Sequence, residues 1–332
     1  MAVVPLHQLP LVAMEHVLSI MDPDELEPSP SRLLYFFFRI NLSLTSAKSK
    51  RAVKNFLRIN SKFEITLYIS RTPHISISGD IKNWYFSKID KPKKQKVTKS
   101  IKFFGIKDRT IRAFIKAYDY IKEVFGCQFD FVRFDISALP KNNKKIINWI
   151  QSQQESINSM VVRFCLPARD DDLKYLMANI KVTGDFIMSD NRHKQDFQAE
   201  LPEGPRRLQI ENAEFIKYDQ FMKLDYKQIN LSRVLFTSEE IHGFLKSWMA
   251  CESHLNLKAI QIAVRKPDMM NNLKELAHEE VVIDGDLLQE FARYTFFFKK
   301  TNGFNIIRCD GKVATVHVQQ TAVVSRLCFV AH

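Results

Sequence analysis

Glycine and cysteine are scarce in this sequence, and it contains no long apolar run. Among its 332 residues there are 9 Gly and 5 Cys. This scarcity of glycine, together with 26 Phe and 45% hydrophobic residues, predicts packed elements around a core rather than disordered tails. No apolar stretch reaches the roughly 18 residues that a membrane helix requires, so we expect no membrane partner.

The few cysteines are too scattered to form a CxxC pair, so we expect neither a zinc site nor any other metal or cofactor. An odd, sparse set is typical of a reducing compartment, and we expect Cys165 and Cys251 to be inert thiols in apolar surroundings. The segment MAVVPLHQLP lacks the features of a signal peptide, which predicts a cytoplasmic and/or nuclear protein. The five cysteines of the chain are Cys127, Cys165, Cys251, Cys309 and Cys328.

Catalytic motifs are also missing, because the sequence has no Gly-rich phosphate loop and no GxSxG. His193, His242 and His254 are separated along the chain, and each is typical of a surface or core histidine rather than a ligand. The run Asp170–Asp172 precedes a helical pattern, where carboxylates oppose the positive end of the helix dipole. We therefore predict that the chain is not an enzyme and has no catalytic residues.

The N-terminal region shows the pattern of short amphipathic helices. Pro10 follows Leu9 at a helix start, and apolar residues recur at helical spacing as far as Met21. The run DPDE, residues 22–25, predicts a second helix with a capping Asp, a proline at its first position and a glutamate that completes a capping box.

Residues 27–39 interrupt this second helix. Pro28 and Pro30 would each cost about 3 kcal/mol or more inside a helix, and the aromatic run that follows has strand composition. When Leu26 is joined to Ile40, the sequence reads DPDELINLSLTSAKSKRAVKNF. It predicts an uninterrupted second helix, a break and then a third helix. Two explanations stay open: a surface loop, or a translated intron whose splice acceptor encodes the aromatic run.

The joined sequence resembles the F-box of the large nematode F-box families. The match is LPLVAMEHVLSIMDPDEL followed by INLSLTSAKSKRAVKNF. The resemblance implies a three-helix module whose apolar stripe binds a Skp-type adaptor and, through it, a cullin scaffold. By position, the implied adaptor-binding residues are Leu9, Pro10, Val17, Leu18, Met21, Pro23, Leu26 and Leu42.

A short sheet and a lysine-rich segment follow. Residues 63–69 and 74–78 alternate apolar and polar side chains, which predicts two antiparallel strands. The segment 91–102 is interpreted as a solvated loop, a nuclear-import signal or a patch for an acidic partner. Its basic residues are Lys91, Lys93, Lys94, Lys96, Lys99 and Lys102.

From residue 109 onward, helical and strand patterns alternate, which predicts an α/β fold with parallel strands. Helices are expected over 111–125, 144–154 and 170–179, and extended segments over 129–136, 160–165 and 180–188. The segments around Trp149 and Trp248 are similar to each other, which indicates an irregular, leucine-rich-repeat-like arrangement. We expect both tryptophans in the core.

A second resemblance covers the C-terminal half. The stretch TSEEIHGFLKSWMACESHLNLKAIQI, residues 237–262, is similar to the type 2 F-box-associated domain, with Thr237 and Glu240 forming a capping box. GFNIIRCDGKVATVHV, residues 303–318, matches that domain's closing hairpin, with Asp310-Gly311 at the turn. The implied organisation is an F-box over 1–60, strands and a basic loop over 61–108, and an F-box-associated domain over 109–332.

By these resemblances the chain is the substrate-recognition subunit of an SCF-type ubiquitin ligase. Its target-binding surface is expected on the loops after the strands of the C-terminal domain. The net charge of +12 favours an acidic target. Two alternatives are kept: a basic nucleic-acid-binding protein that uses residues 91–102, although a nucleic-acid partner is not expected, and a non-functional relative whose F-box is disrupted by a translated intron.

Overall fold

The structure of the protein is a computed structural model. It describes residues 10, 12–13, 16, 42–43, 45–60, 64–78, 83–86, 100–101, 111–126, 128–163, 170–189, 193–194, 197–264 and 273–332. The chain divides into two compact units, Met1–Arg133 and Phe134–His332.

The described part of the first unit contains helices and a small sheet. Its elements are α1 (Ala47–Asn60), β1 (Glu64–Ile69), β2 (His74–Ser78), β3 (Asn83–Phe86), β4 (Ser100–Ile101) and α2 (Ile111–Phe125), and β5 (Phe129–Asp135) spans the division. The sheet order is β1-β2-β3-β4, antiparallel except for the last pair. The structure confirms the two antiparallel strands predicted over 63–78.

Helix α1 begins where the sequence predicts the third helix of the F-box. The Ser46 hydroxyl accepts a hydrogen bond from the Ser49 amide at 3.0 Å, which caps the helix. Val53 is buried, and α1 packs against α2. The other two predicted helices, over 9–21 and 22–44, lie for the most part outside the described residues.

The second unit begins with alternating helices and strands. In chain order it contains α3 (Asn143–Gln153), β6 (Ile157–Arg163), α4 (Asp170–Asn179), β7 (Val182–Ser189), β8 (Arg207–Ile210), α5 (Tyr218–Phe221), β9 (Gln228–Val234), α6 (Ser238–Met249) and β10 (Ala259–Val264). Strands β6 to β10 are neighbours in sequence order and are all parallel, as the alternation predicted.

The remaining strands are antiparallel. They are β11 (Glu279–Ile283), β12 (Thr301–Ile307), β13 (Val313–Gln320) and β14 (Ser325–Ala331), and helix α7 (Gly285–Arg293) joins the first two. The last strand, β14, pairs with β10, so the order outward from β10 is β14-β13-β12-β11. The unit is therefore mixed α/β, and the leucine-rich-repeat-like interpretation, which goes beyond parallel strands, stays a prediction.

The centre of this sheet is covered on both faces. Alternate residues of β14 point to opposite faces. Phe329 meets the α6 side, with its ring centroid 4.9 Å from that of Trp248. Cys328 and Val330 belong instead to a cluster with Phe291 of α7. Helices α6 and α7 therefore cover opposite faces, and Trp248 is fully buried whereas Trp149 is half-buried.

The predicted closing hairpin is present between β12 and β13. Phe304 pairs with Val316, and Gly311 lies at the turn with a φ of 86°, a conformation that favours glycine. Arg308 is 8% exposed and donates from Nε and Nη2 to the two carboxylate oxygens of Asp310, at 2.9 and 2.6 Å. Its Nη1 donates to the Leu255 carbonyl at 3.0 Å, which ties the hairpin to the loop after α6.

One expectation about the cysteines is wrong. Cys251 is not a free thiol, because it forms a disulfide with Cys309, with the two Cα atoms 6.3 Å apart. The two residues are 58 positions apart in the sequence, and only the fold brings the loop after α6 against the hairpin turn. Cys165 lies outside the described residues, and Cys328 is free and buried.

Two negative findings apply to the described part of the chain. None of its helices has both the length and the apolar character needed to span a bilayer. Nor do its His, Cys, Asp and Glu side chains include any group of three or more that could hold a metal ion.

Candidate functional site

The parallel strands β8 and β9 end at the same edge of the sheet, and the loops that follow them lie side by side. The chain leaves β8 at Ile210 and runs through residues 211–217 to α5, and it leaves β9 at Val234 and runs through residues 235–237 to α6. The Ala213 amide donates to the Ser232 carbonyl at 2.9 Å, which holds the first loop against β9. Ligands of α/β proteins bind beyond the carboxyl ends of such strands.

A surface pocket of about 440 Å³ lies at this edge. Its size is within the range of about 300–1,000 Å³ that is typical of ligand sites. The lining combines aromatic, aliphatic and charged side chains from three consecutive connections. These residues are Phe197, Gln198, Glu214, Phe215, Ile216, Lys217, Tyr218, Asp219, Leu235, Phe236 and Glu240.

One wall of the pocket is an aromatic cluster between the segment before β8 and the loop after it. Phe197 and Phe215 are both buried, and their ring centroids are 4.9 Å apart in an edge-to-face arrangement. His193 packs on both rings, at 5.2 and 5.1 Å, and its Nε2 lies 3.3 Å from the Asn212 carbonyl oxygen. These contacts fix the two segments to each other.

A second wall is built around Tyr218, the first residue of α5. Its ring packs edge-to-face on Phe236, with centroids 5.9 Å apart. A Cβ on Gly243 of α6 would lie only 2.9 Å from the Tyr218 hydroxyl, so the absence of a side chain there makes room for the tyrosine. Burial raises the pKa of Tyr218, and the neighbouring carboxylates Glu240 and Asp219 raise it further, which indicates a negative potential at the hydroxyl.

The N-terminus of α6 places Glu240 at the pocket. The Thr237 hydroxyl accepts from the Glu240 amide at 3.1 Å, and the Glu240 carboxylate accepts from the Thr237 amide at 2.7 Å. This is the capping box that the sequence predicted, and it fixes the direction of the Glu240 side chain. Leu235, at the entrance to the helix, leaves 68% of its surface exposed beside the pocket.

Most of the predicted adaptor-binding residues lie outside the described ranges. Pro10 is exposed, and Leu42 is buried within its own chain, next to Ser43, whose hydroxyl lies 2.6 Å from that of Tyr120. Their role in adaptor binding stays a prediction. The residues outside the described ranges are Leu9, Val17, Leu18, Met21, Pro23 and Leu26.

The predicted basic patch lies entirely outside the described ranges, so its function also stays a prediction. Its residues are Lys91, Lys93, Lys94, Lys96, Lys99 and Lys102.

The three isolated histidines and the aspartate run have structural positions. His193 packs in the aromatic cluster, His254 is buried between Phe221 and Phe244, and His242 is half-buried on α6. In the first turn of α4, Asp170 accepts from the Lys194 amide at 3.2 Å and Asp172 accepts from Asn143 Nδ2 at 2.8 Å. The aspartates therefore also join α4 to neighbouring segments.

The residues of the pocket itself were not singled out in the sequence. The sequence places the binding surface on the loops after the strands but does not indicate Phe197, Tyr218 and Phe236, because these residues come from connections that only the sheet brings together. The signal available was local: an aromatic residue and a carboxylate follow both β8 and β9 within a few positions.

The structure is thus that of a mixed α/β protein with a ligand-sized pocket at the carboxyl ends of parallel strands. Residues 196–262, about a fifth of the chain, match the family model described as F-box associated. The matched segment contains every residue that lines the pocket. The match supports the F-box-associated part of the second resemblance.

Comparisons with curated proteins and with solved structures do not identify the family of the chain. No curated protein matches the chain. Among solved structures, the chain is similar to an S-adenosylmethionine-dependent methyltransferase from Clostridium acetobutylicum, at 10% sequence identity over 66% of this chain and 80% of that chain, with a TM-score of 0.15. A TM-score this low supports no argument about fold or function.

Proposed function

We propose that the chain is the substrate-recognition subunit of an SCF-type ubiquitin ligase, of the kind found in the nematode F-box families. The observation that supports this function is the match of residues 196–262 to the F-box-associated family, downstream of a segment that resembles an F-box. In this proposal the N-terminal helices bind a Skp-type adaptor, which links the chain to a cullin scaffold. The protein acts in the cytoplasm and/or the nucleus.

The contribution of the chain to the reaction is positional. It holds a target protein so that a separate enzyme transfers ubiquitin to the target's lysines, and the increase in effective concentration accelerates that transfer. No residue of this chain forms or breaks a covalent bond in the proposed reaction.

The proposed target-binding surface is the pocket beside β8 and β9. It lies inside the family match, and its walls come from loops mounted on a rigid sheet, where side chains can vary without disturbing the core. Buried Phe197 and Phe215 keep the walls in place, while exposed Leu235 offers apolar surface to a partner.

Co-purification with the adaptor tests this function. We would express three tagged forms with a Skp-type adaptor. The first is the full chain, the second lacks residues 27–39, and the third lacks residues 27–39 and also carries Val17→Asp and Leu18→Asp. Capture by the first two forms and its loss in the third supports the proposal. Capture by the deletion variant alone supports adaptor binding by the F-box and identifies residues 27–39 as the obstacle. If neither of the first two forms captures the adaptor, the proposed function is wrong.

A further inference from the structure

The pocket beside β8 and β9 has the opposite charge to the chain as a whole. The chain carries a net charge of +12, yet the pocket is lined by Glu214, Asp219 and Glu240 against a single lysine, Lys217. The described residues 193–194, 197–200, 211–219 and 235–240, which form the surrounding loops and helix starts, contain six carboxylates and two lysines. One further lysine, Lys174 of α4, lies over the Phe197 ring, 5.5 Å from its centroid. The local field therefore favours a cation, even though the overall charge favours an anion.

The carboxylates stand beside apolar surface rather than alone. Phe215 and Phe236 are almost fully buried in the walls, and Leu235 is largely exposed next to them. The ring of Tyr218 packs on Phe236 within reach of the charges of Asp219 and Glu240. A ligand for this pocket must therefore place a large apolar group and a positive charge within a few ångströms of each other.

We infer that the pocket binds a segment of a target protein in which Arg or Lys stands next to an aromatic or large aliphatic side chain. The identification of the partner as a target protein rests on the proposed function. The apolar side chain contacts Leu235 and Phe236, and the cation pairs with Asp219 and Glu240.

Two physical effects favour this ligand class over an acidic segment. An Arg guanidinium can form paired hydrogen bonds with a carboxylate, and such charge-assisted bonds are about twice as strong as neutral ones. A cation above the face of the half-buried Tyr218 gains further attraction from the ring. An acidic segment would instead meet three carboxylates, and juxtaposition of like charges opposes binding.

Binding of defined peptides to the full chain tests the inference. Three fluorescein-labelled peptides with identical Gly-Ser flanks would carry Arg-Phe-Arg, Glu-Phe-Glu or Arg-Ala-Arg at their centre. Fluorescence anisotropy at pH 7 and low salt would give each Kd. We expect the Arg-Phe-Arg peptide to bind at least about tenfold more tightly than either of the others, a difference of about 1.4 kcal/mol.

Variants of the pocket assign this binding to the proposed residues. Asp219→Asn with Glu240→Gln removes two charges, and the Gln can still accept from the Thr237 amide, so the helix start is kept. Leu235→Ser removes exposed apolar surface without opening the core. We expect each variant to weaken Arg-Phe-Arg binding at least about fivefold, a loss of about 1 kcal/mol.

Glu252→Gln is the matched control, because it removes one carboxylate from the exposed loop at the other end of α6. The inference holds if Glu252→Gln leaves the Kd of the Arg-Phe-Arg peptide unchanged while the pocket variants raise it. It is overturned if the Glu-Phe-Glu peptide binds as tightly, if all three peptides fail to bind, or if the pocket variants bind like the parent.

Adaptor capture by the same preparation separates this inference from the proposed function. Capture of the adaptor without peptide binding contradicts the inference alone. Peptide binding without adaptor capture, by either the full chain or the variant that lacks residues 27–39, contradicts the ligase function and leaves a pocket for basic, apolar peptides.

Discussion

His254 illustrates how burial changes a residue that looks ordinary in the sequence. Its ring centroid lies 4.9 Å from that of Phe221 and 5.0 Å from that of Phe244, and the residue is 5% exposed. Desolvation lowers the pKa of His254 to about 4, against smaller raising effects from Asp225 and the Phe221 backbone. The folded protein therefore holds this histidine neutral.

We predict that His254 makes the protein less stable in mild acid. The folded pKa of about 4 is below the ordinary value of 6.5, so stability is complete above pH 6.5 and is lost as the pH falls toward 4. The full effect is on the order of 3 kcal/mol. His254→Phe keeps an aromatic ring and cannot titrate, so urea unfolding between pH 7 and pH 4.5 should show a shallower loss of stability than in the parent.

His317 is a second histidine that contributes to the acid dependence of stability. Burial lowers the pKa of His317 in the same direction, so a residual acid dependence is expected in His254→Phe. An unchanged pH dependence in His254→Phe would contradict the assignment to His254.

Arg308 is a second residue whose role depends on the fold. Hydrogen bonds from Arg308 hold the pKa of Asp310 at about 2, with the Lys312 amide as a further donor. The same guanidinium lies 5.2 Å from the Trp248 ring centroid and donates to the Leu255 carbonyl. One side chain thus joins the hairpin turn to α6 and the loop that follows it.

We predict that Arg308→Lys lowers the Tm, because an ammonium cannot reproduce the fork that meets both Asp310 oxygens and the Leu255 carbonyl. The matched change Arg293→Lys, at the exposed end of α7, should leave the Tm nearly unchanged. Differential scanning calorimetry of both variants measures the difference. Equal Tm values would show that the fork adds nothing to stability.

At the scale of the element, most of what the sequence predicted depends on local interactions. Helix α2 occupies residues 111–125 as expected, because its apolar residues recur with a helical period. This pattern is contained within the helix itself and does not depend on tertiary contacts. The start of α6 was predicted for the same reason, since a capping box is complete within four residues. Strand β6 begins three residues before its predicted start, because its N-terminal end is fixed by pairing with β7.

The capping box gives a prediction at this scale. Thr237→Ala removes the acceptor for the Glu240 amide and should destabilise the protein by about 1 kcal/mol. Thr237→Ser keeps the hydroxyl and should behave like the parent. Because the box also directs Glu240 toward the pocket, we expect Thr237→Ala, but not Thr237→Ser, to weaken Arg-Phe-Arg peptide binding as well. Parent-like stability and peptide binding in Thr237→Ala would contradict both roles.

At the scale of the whole molecule, the sequence predicted the mixed α/β class and the parallel strands but not the complete strand order. The hairpin of β12 and β13 is local, whereas the pairing of β10 with β14 joins segments about 60 residues apart and leaves no short-range signal. The sequence does not predict the pocket either, because its lining residues come from three connections that leave no short-range signal of their proximity. Its acidic character is also hidden by the net charge of +12, which describes a sum over the chain rather than any surface.

The disulfide between Cys251 and Cys309 also belongs to this scale, because it connects the loop after α6 to the distant turn between β12 and β13. It closes a loop of 58 residues that contains β10, β11, α7 and β12. Restricting an unfolded loop of this length stabilises the native state by about 2–4 kcal/mol. In a reducing compartment, such as the sequence predicts, this stabilisation would be lost.

We therefore predict that a reductant lowers the Tm of the parent and leaves that of Cys251→Ser with Cys309→Ser unchanged. The remaining described cysteine does not compete for the disulfide, because burial raises the pKa of Cys328 to about 12 and its thiol stays protonated. Thermal unfolding with and without a phosphine reductant measures the effect. A reductant that shifts both proteins equally, or neither, would show that this disulfide does not stabilise the sheet. A shift in the parent alone would make the stability of the pocket-bearing unit depend on the redox state of its surroundings.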